Sequence, residues 1–338
     1  MRGGFTKKPA AAKRKRKKRT DAAPTPAVTP EAHMAIIQAS VEEHAPQLLD
    51  DLARDGFAIV DNFLPATTVR LMRRECEGLL SSGEMVVSES TRWDEVTQAV
   101  ETYQKTNVLS TNLKGGDDYH KSPRLVEYCV SLVSTLPPLV NARFGEGPVG
   151  GSDGSDVAVQ LPPPGLSAKI HTNKLAVCLG EGSKYDKHYD NSGDLRKLTV
   201  LVYLQEAWDE ANGGEFRMFL QPGAPLPLRL DRTGVTAGTA CDLEPISPTD
   251  AAAADTTEAT IHPCVDVAPL GGRLLAFWSD TQIHGVLPSH NAEASADAHR
   301  WALTVWLHAE DPEAIVFDAE AEERHFGRES TLHRALAG

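Results

Sequence analysis

Gly272-Arg273-Leu274-Leu275-Ala276-Phe277-Trp278-Ser279-Asp280-Thr281-Gln282-Ile283-His284 joins an apolar, glycine-bounded run to a polar turn and a histidine. A short run of this kind reads as a buried strand, with the histidine just beyond its end. Working outward, Lys187-His188-Tyr189-Asp190 holds a histidine and a carboxylate one residue apart. Downstream, Arg300-Trp301-Ala302-Leu303-Thr304-Val305-Trp306-Leu307 opens an apolar, β-rich run with an arginine. In a strand, residues i and i+2 point to one face, so His188 and Asp190 can reach one ion while Tyr189 points away. Two imidazoles and one carboxylate are the protein half of a non-haem Fe(II) site that keeps positions open for substrate and dioxygen. A third ligand from a distant strand requires a barrel-like or double-sheet fold. Both halves of the site then lie at strand ends, where a jelly roll places its mouth.

The same alternation sorts two further strands. Arg300, Ala302, Thr304 and Trp306 share one face, and Trp301, Leu303, Val305 and Leu307 share the other, which suits packing on helices. Between Lys197 and Gln205, Thr199, Leu201 and Tyr203 oppose Leu198, Val200, Val202 and Leu204. If the first sets face inward, a guanidinium, a threonine hydroxyl and a tyrosine hydroxyl converge near the ion. That is a cradle for a carboxylate, and an arginine fork is the group for the far end of a dicarboxylate such as 2-oxoglutarate. A lone His-x-Asp is usually a surface or turn pair. What raises it to a site is the ordered combination with a glycine pair, an apolar strand into Trp-Ser-Asp, a second histidine and an arginine heading a strand.

In that combination the chain resembles the 2-oxoglutarate- and Fe(II)-dependent prolyl 4-hydroxylases, and within them the intracellular branch that includes the hypoxia-inducible-factor prolyl hydroxylases. The residues carrying the likeness are Tyr185 to Asn191, Val202 to Gln205, Trp208, Gly213 to Phe219, Gly272 to Asp280, His284 and Arg300 to Trp306, with Asp55 to Leu64 as the opening strand. The resemblance implies a mainly β fold with flanking helices (α+β): a double-stranded β-helix core with N-terminal helices packed on one sheet. It implies His188, Asp190 and His284 as iron ligands, and Arg300 and Tyr203, with Thr304 assisting, as the grip on the far carboxylate of 2-oxoglutarate. It implies O2 as second cosubstrate, ascorbate to restore oxidised iron, and a protein substrate with a target proline. Three departures stand out. Residues 289–298 form an extra loop, a longer insertion separates Phe219 from Val265, and Cys178 stands where the nearest relatives carry a tyrosine lining the cosubstrate pocket.

Composition bounds the rest. The 338 residues are 41% hydrophobic, enough for a sizeable core, and no apolar run approaches the about 20 residues that span a bilayer. No apolar stretch follows the basic N-terminus, so no secretory signal is expected. Five widely spaced cysteines (Cys76, Cys129, Cys178, Cys241, Cys264), with no Cys-x-x-Cys, argue for a reducing compartment and against a disulfide framework or zinc module. Charge is split. Residues 1–20 hold ten Lys or Arg and no acid, so removing them from a net of −13 leaves −23 on the remainder. Such a body is a poor nucleic-acid binder. The tail Lys7-Lys-Pro-Ala-Ala-Ala-Lys-Arg-Lys-Arg-Lys-Lys-Arg19 reads as a nuclear localisation signal for an import receptor. The expected location is the nucleus, with the cytoplasm second.

Along the chain the expectation is a disordered basic arm (1–30), a helical and strand support region (31–165), a dioxygenase domain (166–310) with a surface insertion (221–262), and a charged, helical tail (311–338). In the support region, a helix capped by Thr29 runs in two pieces to about Arg54, a strand spans 56–61 and an amphipathic helix spans 65–80. Residues 85–118 read as loop overhanging the site, residues 122–140 as a helix broken at Pro137-Pro138, and residues 145–165 as a linker. His262, Cys264, His290 and His299 read as incidental. Alternatives are the same chemistry on another residue or a small molecule, or a non-catalytic cupin-like binding protein.

Overall fold

The computed structural model describes residues 28–94, 97, 99–145, 163–191, 193–221, 232–241, 261–290 and 298–327. The basic arm to residue 27, most of the linker and of the 221–262 insertion, the loop at 291–297 and the tail from 328 lie outside them.

Two antiparallel sheets form the core. The larger orders its seven strands as β1 (Phe57–Val60), β10 (Leu274–Trp278), β6 (Arg196–Tyr203), β12 (Arg300–Ala309), β4 (Leu166–Cys178), β3 (Ala99–Thr111) and β2 (Val86–Asp94). The smaller orders five as β5 (Ser183–His188), β11 (His284–Ser289), β7 (Phe216–Phe219), β9 (Ile261–Val267) and β8 (Val235–Cys241). Alternation decides what each face packs against. Leu198, Val200, Val202, Trp301, Leu303 and Val305 join the helices in one apolar cluster. Leu201, Tyr203, Leu275, Phe277 and Ala302 meet Phe216, Met218, Val265 and Val267 of the small sheet in another. This is the expected double-sheet core, with α1 (Pro30–Asp55), α2 (Ala66–Ser81) and α3 (Pro123–Phe144) laid on the outer face of the large sheet.

Several local expectations are corrected. Residues 85–118 are not mainly loop: β2 and β3 pair from Val86↔Ser110 to Asp94↔Ala99 and extend the large sheet through β4. Their polar residues hid a β-rich alternation such as Val100-Glu-Thr-Tyr103. The first helix is one piece, capped by the Thr29 side chain at Ala32 N–H, with Pro46 inside it. Likewise α3 runs unbroken through Pro137 and Pro138. Each interior proline removes a helix hydrogen bond; burial of Leu132, Leu136 and Val140 offsets that cost. α3 is also long and apolar enough to cross a membrane, yet 56% of that stretch is buried here, where it packs on α1 and β4. Part of the 221–262 insertion is strand, since β8 pairs with β9 along its length. The C-terminal region forms α4 (Ala319–Phe326).

Candidate active site

β5 ends at His188 and β11 begins at His284, and the two residues face each other directly in the pairing register. Their ring centroids lie 4.4 Å apart. Asp190 follows in the turn after β5. The three side chains place one ligand atom each within 4.8 Å of one another, the one such cluster among the described residues.

Neighbours fix how these donors point. His188 Nδ1 lies 2.7 Å from the Asp186 carbonyl, and His284 Nδ1 lies 3.1 Å from the Gln282 carbonyl. A carbonyl only accepts, so each Nδ1 carries a proton, and in the neutral ring the lone pair is then on Nε2. Both Nε2 atoms face Asp190 Oδ1, at 3.6 and 3.7 Å, beyond ordinary hydrogen-bond distance. The other carboxylate oxygen, Oδ2, accepts from Thr199 Oγ1 at 2.8 Å, and Thr199 is 2.8 Å from Ser279 Oγ. Phe216 stacks on the His284 ring at 4.9 Å and Phe277 packs at 4.7 Å.

Electrostatics match the donor geometry. Burial pushes the Asp190 carboxyl up, but the adjacent His284 and His188 outweigh it and hold it well below the usual carboxylate range. Burial, helped by His188 and opposed by Asp190, pushes His284 down to about 4. An anionic carboxylate and a neutral imidazole beside a second imidazole are a ligand set that suits Fe(II).

Arg300 is 6% exposed. Its Nε donates to the Gly214 carbonyl at 2.7 Å and its Nη2 to the Tyr203 hydroxyl at 3.3 Å, with the guanidinium 5.1 Å from the Tyr203 ring centroid. No carboxylate among the described residues pairs with it, and a buried cation without an anion is costly. The site therefore fits a ligand that brings a carboxylate to Arg300. Gly214 makes that position possible. Its φ is +77°, and a Cβ there would lie 2.6 Å from Ser289 Oγ and 3.0 Å from Arg300 Cδ. Thr304 shares the inner face of β12 with Arg300, two pairs further along, and no hydrogen bond to its side chain occurs among the described residues. Cys178 is buried opposite Arg300 in the register.

The turn that carries Ser279 to His284 is moored to β6. Lys197 Nζ donates to Asp280 Oδ2 at 2.7 Å, with both side chains at most 1% exposed. The same oxygen accepts the Val316 N–H at 2.8 Å. Sequence reasoning missed this pair, together with Lys105 and Lys174. For Lys174 a signal existed: it lies opposite Thr304 in register, on the face of β4 that Cys178 occupies. Lys105 fell in the stretch read as loop.

A double-sheet core with two histidines and one carboxylate at its mouth, and a buried arginine behind them, is the build of a non-haem iron oxygenase. Residues 174–308 match the model of the 2OG-Fe(II) oxygenase superfamily, so this stretch of the chain is similar to a 2OG-Fe(II) oxygenase domain. It is 24% identical to the hypoxia-inducible factor prolyl hydroxylase of Caenorhabditis elegans over 277 residues, which are 79% of this chain and 28% of the worm protein. It is also 24% identical to human prolyl hydroxylase EGLN3 over 280 residues, 78% of this chain and 80% of that one. Among solved structures, a prolyl 4-hydroxylase from Phytophthora capsici superimposes with a TM-score of 0.50 at 22% identity, covering 93% of this chain and 80% of the other. That likeness concerns the fold.

Proposed function

We propose that this protein is a Fe(II)- and 2-oxoglutarate-dependent dioxygenase that hydroxylates a prolyl residue of a protein substrate. One observation carries the reading: two imidazole Nε2 atoms and a carboxylate converge, and a buried arginine without an acidic partner lies behind them on the inner face of the large sheet. His188, Asp190 and His284 would hold the metal, and Arg300 with Tyr203 the far carboxylate of 2-oxoglutarate, with Thr304 beside them. When bound, the iron and its cosubstrates supply the oxidation: O2 is consumed, 2-oxoglutarate leaves as succinate and CO2, and the substrate gains a hydroxyl. The chain's own work is orientation. The Asp186 and Gln282 carbonyls keep both Nδ1 protons in place, Thr199 turns Asp190 Oδ1 toward the imidazoles, and Phe216 and Phe277 wall His284 from water. Ascorbate serves to restore oxidised iron. The prolyl target rests on relatives named prolyl hydroxylases.

The test is succinate formation from 2-oxoglutarate with added Fe(II), with and without proline-containing peptides. Arg300→Ala should raise the 2-oxoglutarate requirement strongly, by the equivalent of about 2–5 kcal/mol, while the melting curve stays cooperative. An unchanged dependence on 2-oxoglutarate means another base holds that carboxylate.

The basic arm directs nuclear import and not chemistry. Its ten positive charges lie in residues 1–20, ahead of α1. Deleting residues 1–20 should leave 2-oxoglutarate turnover intact and move a fluorescent fusion from nucleus to cytoplasm. A truncated fusion that remains nuclear refutes the import role.

A further inference from the structure

Two lysines face the inside of the double sheet beside the candidate metal ligands, and no role assigned so far uses them. Lys105 on β3 is about nine-tenths buried. Its ammonium sits 3.9 Å from the centroid of the Tyr185 ring. Among the described residues it has no hydrogen-bond acceptor and no carboxylate at ion-pair distance. Lys174 on β4 stands opposite Thr304 of β12 and so shares the inner face with Arg300. Its ammonium donates to Ser88 Oγ of β2 at 3.0 Å, a neutral partner. Both ammonium groups feel the Asp190 carboxylate, and Lys105 feels Lys174 as a like charge.

Arg300, Lys105 and Lys174 place three cations in one interior, and Asp190 is the negative side chain facing the lysines from the mouth. Asp186, at the rim, is taken by the Tyr103 hydroxyl at 3.0 Å and by Lys184 at 3.3 Å. A metal dication on Asp190 cancels that carboxylate and adds charge of its own. 2-Oxoglutarate brings two carboxylates, one for Arg300 and one for the metal. Both lysines then remain without an anion, and for the buried Lys105 an unpaired charge is costly, while the half-buried Lys174 is only partly relieved by solvent. A cation–π contact offsets only part of that cost. Lys105 also reaches its place on the β2–β3 hairpin, which packs against β5 at the mouth, the side from which a substrate would enter.

We infer that Lys105 and Lys174 form an anion subsite at the mouth of the double sheet that receives a carboxylate of the substrate next to the carbon to be oxidised. The inference rests on the dioxygenase reading and narrows its substrate class. An acidic residue flanking the target in a peptide, or the α-carboxylate of a free amino acid, supplies the same chemistry.

The subsite can be probed without knowing the substrate. The protein is loaded with Mn(II) and saturated with N-oxalylglycine, an isostere of 2-oxoglutarate. Acetate and acetamide, which differ in charge and little in shape, are then compared by the paramagnetic relaxation of their methyl protons. Acetate should be relaxed strongly and acetamide weakly. Lys105→Met and Lys174→Met should each cut the acetate effect at least about fivefold, and Lys105→Arg should restore most of it. Equal relaxation of the two probes, or an acetate effect that survives in both Met variants, overturns the subsite. So does a loss of N-oxalylglycine affinity in Lys105→Met without acetate binding in the wild type, because the lysine would then hold the cosubstrate. Absence of Mn(II) or N-oxalylglycine binding in the wild type instead defeats the dioxygenase reading itself. Turnover separates the two sources. Preference for Asp- or Glu-flanked peptides over their Asn or Gln twins places the carboxylate on a side chain. Preference for free L-proline over L-prolinamide places it on the α-carbon. Equal turnover of acid and amide forms by the wild type counts against the subsite.

Discussion

Asp190→Ala is expected to abolish 2-oxoglutarate turnover and to strip iron from the protein. In the proposed site the donors found among the described residues are three: one carboxylate oxygen and two imidazole nitrogens within 4.8 Å of one another. Removing one leaves two donors for an ion that needs a facial triad. The rate should fall at least about a thousandfold, equivalent to about 4 kcal/mol of barrier. His188→Ala and His284→Ala should behave alike. Asp190→Asn is the sharper control, since an amide can still accept from Thr199 Oγ1 but carries no charge for the metal. Iron content by elemental analysis and succinate yield, measured together, decide the matter. Any of these variants with full iron stoichiometry and wild-type turnover removes the residue from the ligand set.

Lys197→Met should be the most damaging single change away from the donors. The Lys197–Asp280 pair is buried at both ends, and Asp280 also holds the Val316 N–H. Removing the ammonium leaves a carboxylate sealed from water, which costs about 3–5 kcal/mol. A urea unfolding midpoint shifted down at constant slope is the expected record. Lys197→Met with Asp280→Leu should recover much of the loss, because the stranded charge is gone. A single variant within about 1 kcal/mol of wild type would mean that the pair is no anchor. The double variant should still lose activity, because the turn from Ser279 to His284 loses its tether to β6.

The sequence carried much of this site. The parity of Arg300 with Ala302 and Thr304 and the split of Leu198 to Leu204 between two cores follow from strand periodicity, and the structure keeps them. His188 and Asp190 do come together, but Asp190 sits in the turn after β5 and not on the strand, so i, i+2 alternation gave the right pair for a partly wrong reason. What escaped has physical reasons. β3 is a strand whose middle reads Glu101-Thr-Tyr-Gln-Lys-Thr-Asn107, so polarity masked its pairing. Pro137 and Pro138 argue locally for a break, yet tertiary burial of α3 overrides that preference. The Lys197–Asp280 pair joins residues 83 positions apart, and no local pattern announces such a contact. The inner-face position of Lys174 was readable from parity alone, but lysine on a strand is ordinarily taken as solvated.

The head-on pairing of His188 with His284 makes competence all or none. Side chains alternate from face to face along a strand, so a slip of β5 against β11 by one residue turns a donor away entirely. A molecule slipped by one residue is thus expected to present an incomplete ligand set, with His188 turned from His284. Quality control over a dangerous chemistry is in this way written into strand alignment, with the irregularities between His284 and Ser289 marking where that alignment is set.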